Sequence, residues 1–100
     1  MDIVVAERNL VAESPEGDRT PIQVSIGRPF KVADKTWTCP LRLEGLGRVS
    51  DGLGTDSWSA LTVAIGVARQ RLAICVEKGA RLLCGQDGSD IELDDLFPRF

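Results

Sequence analysis

The sequence predicts an α+β fold in which an antiparallel sheet of about four strands is covered on one face by one long helix, with room for a short strand after the helix. Several short segments alternate apolar and polar residues with a period of two, which is typical of half-buried strands. Residues 57–78 instead place apolar side chains three and four positions apart, which is typical of an amphipathic helix. A chain of 100 residues has room for a single core of this kind.

The first two strands are predicted over residues 3–12 and 22–28. The second alternates cleanly, whereas the apolar residues of the first fall on both parities. A bulge near Arg8 and Asn9 would let the first strand change faces; alternatively, both of its faces are partly covered. Phe30 to Lys35 is expected to be a loop.

Residues 36–44 give the clearest alternation and predict a third strand. Pro40 lies within it and removes one ladder hydrogen bond, which indicates an edge position or a bulge. A glycine-rich turn follows, and Arg48 to Leu53 is expected to form a short return strand. The apolar face of the third strand is formed by Trp37, Cys39, Leu41 and Leu43.

The long helix is predicted to begin after Asp56, which can cap its first turn, and to end at Lys78 before Gly79. A second apolar set of Val63, Val67 and Ile74 widens the helix face, which favours a second covering element or a partner chain. A last short strand is expected from residue 81 to 85. The main predicted core face of the helix consists of Trp58, Leu61, Ile65, Ala68, Leu72 and Cys75.

The charge distribution divides the chain into a domain of residues 1–86 and an acidic tail of residues 87–100. The first part holds eleven basic and ten acidic side chains, a net charge of +1, and the tail holds one basic and five acidic side chains, a net charge of −4. The tail ends in the apolar residues Leu96, Phe97 and Phe100. They are candidates for an interface with another subunit, for a flap on the domain's own core, or for a frayed end.

Four short motifs resemble a family of small bacterial proteins of unknown function. They are Ile26-Gly27-Arg28-Pro29, Trp37-Thr38-Cys39-Pro40, Glu44-Gly45-Leu46-Gly47, and Gly54-Thr55-Asp56-Ser57 with Ala60-Leu61. The resemblance spans residues 3–85 and excludes the acidic tail. It implies a bacterial source and no known activity, so it assigns no functional residue.

Composition excludes several chemistries within this chain. There is no histidine, so histidine-based triads and histidine metal ligands are absent, and the three cysteines lack metal-ligand spacing. We therefore expect no catalytic residue, no metal and no cofactor. No basic cluster favours nucleic acid, and Arg69, Gln70 and Arg71 interrupt the most apolar segment, so we expect no membrane span. The absence of a secretory signal and the odd cysteine count predict a cytoplasmic protein with reduced thiols.

Two further patterns have ordinary structural explanations. The segment from Gly52 to Ser57 could present amide groups to a phosphate, but Asp56 would repel that anion and no lysine follows, so helix capping is favoured. The acidic run from Asp87 to Asp95 lacks the spacing of a calcium loop. It is expected to be a solvated loop, with a weak cation contact or a basic partner as alternatives.

Three functions remain open. The first is a protein-interaction module without enzymatic activity, which would form a homodimer or bind another protein through the wide apolar surface of the helix. The second is a small-molecule site between sheet and helix, with Trp37, Trp58 and Arg42 as its candidate residues. The third is a metal-independent enzyme that uses carboxylates, for example Glu44 with Asp51, together with arginine.

Overall fold

A computed structural model describes residues 3–85 and 87–98 and confirms the α+β class. The strands of that part of the chain form two antiparallel sheets. Sheet A has the strand order β5-β2-β1-β7 and sheet B has the order β3-β4-β6. The elements in chain order are β1 (Val4–Glu13), β2 (Arg19–Gly27), β3 (Phe30–Ala33), β4 (Thr36–Cys39), β5 (Leu41–Glu44), β6 (Gly52–Gly54), α1 (Ser57–Glu77), β7 (Arg81–Cys84) and α2 (Leu93–Leu96).

Pro40 is the point at which the chain passes from one sheet to the other. The single strand predicted over residues 36–44 is divided there into β4 of sheet B and β5 of sheet A. Pro40 has no N–H to donate, but its carbonyl oxygen accepts a hydrogen bond from the Gly27 amide at 2.9 Å. The alternation of residues on either side survives this break, so Cys39, Leu41 and Leu43 are all buried.

Three local predictions are wrong. Phe30 to Lys35 is a strand and a turn rather than a loop, because β3 pairs with β4 even though all four of its side chains are exposed. The return strand from Arg48 to Leu53 is reduced to the three residues of β6. The bulge of β1 lies between Val4 and Ala6 rather than near Arg8 and Asn9.

Helix α1 is capped by Asp56, whose carboxylate accepts a hydrogen bond from the Ser59 amide at 2.7 Å. Its buried stripe shares Ala68 and Leu72 with the predicted face but differs from it in the first half of the helix. It consists of small side chains and a single leucine, whereas Trp58 at the start of the predicted face is 74% exposed. The buried residues of the helix, spaced by four, are Ala60, Ala64, Ala68 and Leu72.

Small residues let the first half of α1 approach sheet B closely. A Cβ atom added to Gly54 would lie 2.5 Å from the Ala60 nitrogen, and one added to Gly52 would lie 2.6 Å from the Ala64 nitrogen. Both distances are too short for real atoms, so the backbone of β6 and the backbone of the helix are in direct contact there. This contact fixes the position of the helix over the two sheets.

The second half of α1 packs over sheet A. Leu72 is fully buried against a cluster that contains Leu10 and Ile22. Ile22 and Leu41 are 2% and 4% exposed and Val24 is half-buried, which confirms that the helix shields this face of the sheet. By length and composition α1 is also apolar enough to cross a membrane, a criterion that the core helix of a soluble protein also satisfies.

Candidate functional site

An apolar groove of about 250 Å³ lies beside α1, above the inner face of β1 and β2. Val24 and Ile26 form part of its floor, Ile65 and Leu72 form the helix side, and Phe97 closes one end. Ile65 is 38% exposed, so this flank of the helix is incompletely covered. The groove has a concave apolar surface, which is typical of binding sites.

The groove borders an open strand edge. Strand β7 pairs only with the second half of β1, from Leu10 to Glu13, and the last contact is a hydrogen bond of 3.1 Å from the Gly85 amide to the Asn9 carbonyl oxygen. Among residues 3–85 and 87–98, no strand pairs with Val4–Arg8 on the side away from β2. Five consecutive residues of β1 therefore have one unpaired edge.

The other edges of sheet A are covered in part by side chains and turns, although residues 19–22 of β2 also pair with no described strand on the side away from β1. At β5, the Leu41 amide donates to the Asp51 carboxylate at 3.1 Å, and the Leu43 carbonyl oxygen accepts from the Leu46 amide. At β7, the Cys84 amide donates to the Ser89 carbonyl oxygen at 2.7 Å, and Ile91 donates to Leu82. Natural sheets usually protect their edges in such ways, because an unpaired edge can recruit another strand.

Apolar side chains begin the open segment and charged side chains end it. Ile3, Val4 and Val5 are 46%, 45% and 53% exposed. Glu7 and Arg8 follow on opposite faces of the strand, since Glu7 lies opposite Ser25 and Arg8 lies opposite Val24. Both residues also line the groove. No ion pair within the described part of the chain involves either residue.

The structure does not bring the three predicted ligand-binding residues together. Trp37 is half-buried and packs against the core beneath α1, whereas Trp58 is exposed at the start of the helix. Arg42 lies opposite Ser25 on the outer face of sheet A and lines a separate cleft of about 260 Å³ beside β5. A small-molecule site between sheet and helix that uses these side chains stays a prediction.

The apolar residues of the tail pack on the chain's own core. Leu96 and Phe97 are half-buried, and Phe97 contacts both core clusters. Arg69 of α1 holds the preceding segment through an ion pair with Asp94 at 3.4 Å. Phe100, the third predicted interface residue, lies outside the described residues. Whether these positions also contact another subunit remains a prediction.

The remaining acidic and thiol groups have local structural roles. Asp87 accepts hydrogen bonds from the Ser89 hydroxyl and amide, which hold the pKa of its carboxyl below the usual range. Asp51 caps the edge of β5, as described above, so its role is structural. Cys39 is fully buried, and burial, followed by the negative charge of Asp51, raises the pKa of its thiol. Such a thiol is a poor nucleophile.

The acidic residues of the described segments do not assemble a metal site. No group of three or more potential metal ligands occurs in that part of the chain. Asp90 and Asp94 instead form ion pairs with Arg81 and Arg69.

The sequence analysis did not predict the open segment of β1, nor that Arg8 lines the groove. The apolar residues of β1 lie on both parities, which indicates cover on both faces of the strand but gives no information about which of its edges is paired. The sequence could not reveal that β7 is too short to cover the whole strand.

Comparison with known proteins gives a family and no activity. A family model described as a domain of unknown function, DUF6968, matches residues 6–93. This match confirms the resemblance to a family of proteins of unknown function. No match was found among curated proteins or among solved structures.

Proposed function

The chain belongs to the DUF6968 family, a domain of unknown function, and we propose that it is a cytoplasmic protein-interaction module without enzymatic activity. It binds an extended segment of a partner protein, which adds to β1 as a further antiparallel strand. The observation that carries this proposal is the unpaired edge of Val4–Arg8, which directly borders the apolar groove.

The backbone of β1 supplies the main contacts. Successive residues of an antiparallel strand direct their N–H and C=O groups to alternate sides, and Asn9 directs its carbonyl group toward the β7 side. Glu7 therefore directs both of its backbone groups to the open edge. Five residues at about 3.4 Å each span at most about 17 Å, less the shortening at the bulge between Val4 and Ala6, which is long enough to seat a short strand.

The groove supplies the side-chain contacts. A strand beside β1 would place alternate side chains on the inner face, next to Ala6 and Arg8 at the wall of the groove. Backbone hydrogen bonds then provide affinity, and the groove selects the side chains that enter it. The volume of about 250 Å³ lies just below the range of about 300–1,000 Å³ of typical small-molecule pockets, which favours a side chain over a whole metabolite.

Charge complementarity favours a foreign segment over a second copy of this chain. The bulge between Val4 and Ala6 leaves Ala6, Glu7 and Arg8 as the regular part of the open segment. Self-pairing of these residues around a two-fold axis would place the Glu7 side chains of the two copies opposite each other, and like charges directly opposite are destabilising. A partner protein can instead place an opposite charge beside Glu7 and beside Arg8.

The test begins with a displayed library of random twelve-residue peptides, from which binders to the protein are selected. The Glu7→Pro variant removes the amide that faces the open edge, so selected peptides should lose at least tenfold in affinity. The matched control is Glu7→Gln, which keeps the amide and should change affinity by a few-fold at most. Urea unfolding of both variants checks that each is folded.

A scan of the best peptide makes the test independent of how well Glu7→Pro folds. Single N-methyl groups placed along the peptide should abolish binding at alternate positions only, because every second amide of an added strand faces β1. Strand addition would be overturned if N-methylation abolished binding at every peptide position, at no position, or at positions that do not alternate. Light scattering distinguishes the occupant: a dimer that Glu7→Pro dissociates would show that a second copy occupies the edge.

A further inference from the structure

We infer that the segment which adds to β1 carries an acidic, a basic and an apolar residue in succession, placed opposite Arg8, Glu7 and Ala6. The inference rests on the proposed strand addition and specifies the chemistry of the partner. Because an antiparallel partner runs opposite to β1, its chain meets Arg8 first, then Glu7, then Ala6.

The first observation concerns the faces of the open segment. Arg8 and Ala6 lie opposite Val24 and Ile26, so both are on the inner face that borders the groove. Glu7 lies on the outer face. A residue opposite Arg8 or Ala6 therefore reaches the groove side of the sheet, and the residue between them reaches the outer side.

The second observation is the covered half of the same strand. Glu13 lies on the outer face and has an arginine directly opposite it on each neighbouring strand. Arg19 of β2 contacts its carboxylate at 2.9 Å, and Arg81 of β7 contacts it at 3.4 Å. An acidic residue of β1 is thus matched by a basic residue on the strand that covers its edge.

In the open half of β1, Glu7 presents a carboxylate on the same face, with β2 on one side and no described strand on the other. Glu7 lies six residues before Glu13, so the two side chains project from the same face of β1. A partner strand that continues the line of β7 would place a basic residue opposite Glu7. An acidic residue next to Arg8 on the inner face would form a favourable cross-strand pair with it.

The third residue is apolar because Ala6 leaves space beside the groove. Ala6 carries a small side chain, and the walls nearby include Ile26, Ile65 and Phe97. A polar residue placed opposite Ala6 would lose hydration against these walls without gaining a partner. A branched aliphatic residue would cover apolar surface that is now exposed to water.

The experiment compares two fluorescein-labelled synthetic peptides of ten residues by fluorescence polarisation. The matched peptide has Glu, Lys and Val at consecutive central positions in a threonine frame, and the swapped peptide has Lys, Glu and Val. The matched peptide should bind about tenfold more tightly, because two attractive cross-strand pairs replace two repulsive ones. This difference should shrink as sodium chloride is raised from 0.05 M to 0.5 M.

A charge reversal on the protein provides the decisive control. In the double variant Glu7→Lys with Arg8→Glu, the swapped peptide should become the tighter ligand by a similar factor. Both residues are exposed, so the variant should fold, and its urea midpoint verifies this. Each single variant should reduce the preference to near unity. A matched peptide with serine in place of valine should bind more weakly.

The outcomes separate this inference from the proposal on which it depends. Equal affinity of the two peptides for the protein, or a preference that the double variant does not reverse, would overturn the inferred charge pattern. If library peptides bind with the alternate N-methyl pattern but the matched peptide does not, strand addition stands and the inferred sequence is wrong. If no extended peptide binds at all, both fail.

Discussion

Helix α1 meets the two sheets in two different ways. Over sheet B, Gly52 and Gly54 of β6 lie against Ala60 and Ala64, and backbone touches backbone. Beside sheet A, large side chains of the helix hold the two layers apart, and a groove of about 250 Å³ remains between Ile65 and the strands. One helix thus has a closed end and an open side.

This difference shows how side-chain size determines where a small domain leaves space for a ligand. Small residues allow close approach and leave no space for a ligand, while large residues bury more apolar area but leave gaps wherever the opposing surface is incomplete. At the open side the surface is incomplete because β7 covers only half of β1. The closed end should therefore be sensitive to added volume, and the open side should tolerate change.

The largest effect is expected from Gly52→Ala at the closed end. The added Cβ would collide with the Ala60 carbonyl oxygen and lie 2.6 Å from the Ala64 nitrogen, and neither backbone atom can move alone. We expect the free energy of unfolding to fall by about 3–4 kcal/mol, measured by urea denaturation.

Gly66→Ala is the matched control on the outer side of the same helix. An added Cβ there meets no atom within 4 Å, so only helix propensity changes. It should raise the free energy of unfolding by about 1 kcal/mol. Equal effects of the two substitutions would show that the closed end is not closely packed.

The second prediction compares Leu72→Ala with Ile65→Ala on the helix. Leu72 is fully buried, so its truncation leaves a cavity and should cost about 3 kcal/mol. Ile65 is 38% exposed at the groove, so its truncation should lower the free energy of unfolding by only about 1 kcal/mol. Urea denaturation of the two variants measures both losses of stability. A similar loss for Leu72→Ala and Ile65→Ala would mean that the groove is closed in solution.

The smallest effect is expected at Asp56, the N-cap residue of α1, and it depends on pH. Hydrogen bonds from Ser59 lower the pKa of the Asp56 carboxyl in the folded protein. A depressed folded pKa stabilises the fold above the unfolded value of about 3.9, and this contribution is lost as the pH falls through the lower folded value. Compared with Asp56→Asn, which does not titrate, the native protein should lose relative stability between pH 5 and pH 2. If the difference in unfolding free energy between the native protein and Asp56→Asn stayed constant over this pH range, the negative charge of Asp56 would not contribute to capping.

Most of the fold could be predicted from periodicity, because strands and helices repeat their apolar residues at characteristic intervals. The prediction failed where packing rather than pattern decides the structure. The helix face that starts at Trp58 has the right spacing for a core and includes the buried Ala68 and Leu72, yet Ala60 and Ala64 are buried instead of Trp58 and Leu61, because the glycines of β6 admit only small residues. Strand β3 was missed because no side chain of it is buried.

The candidate site could be predicted only in part. The expectation that the apolar surface of the helix exceeds what the domain covers agrees with the exposure of Trp58 and Ile65. The residues chosen for a ligand site were selected for type, and Trp37, Arg42 and Trp58 lie in different places. The open edge depends on the lengths of two strands that are almost seventy residues apart in the chain, which local patterns do not encode.

The sequence by itself determined the α+β class, the long capped helix, the buried face of the central strands and the lack of histidine chemistry, because these follow from residue type and local spacing. The tertiary structure decided which side of the helix is buried, where the chain changes sheets and which half of β1 stays unpaired. Those features depend on how distant segments fit together, since steric fit and strand register are properties of the assembled chain.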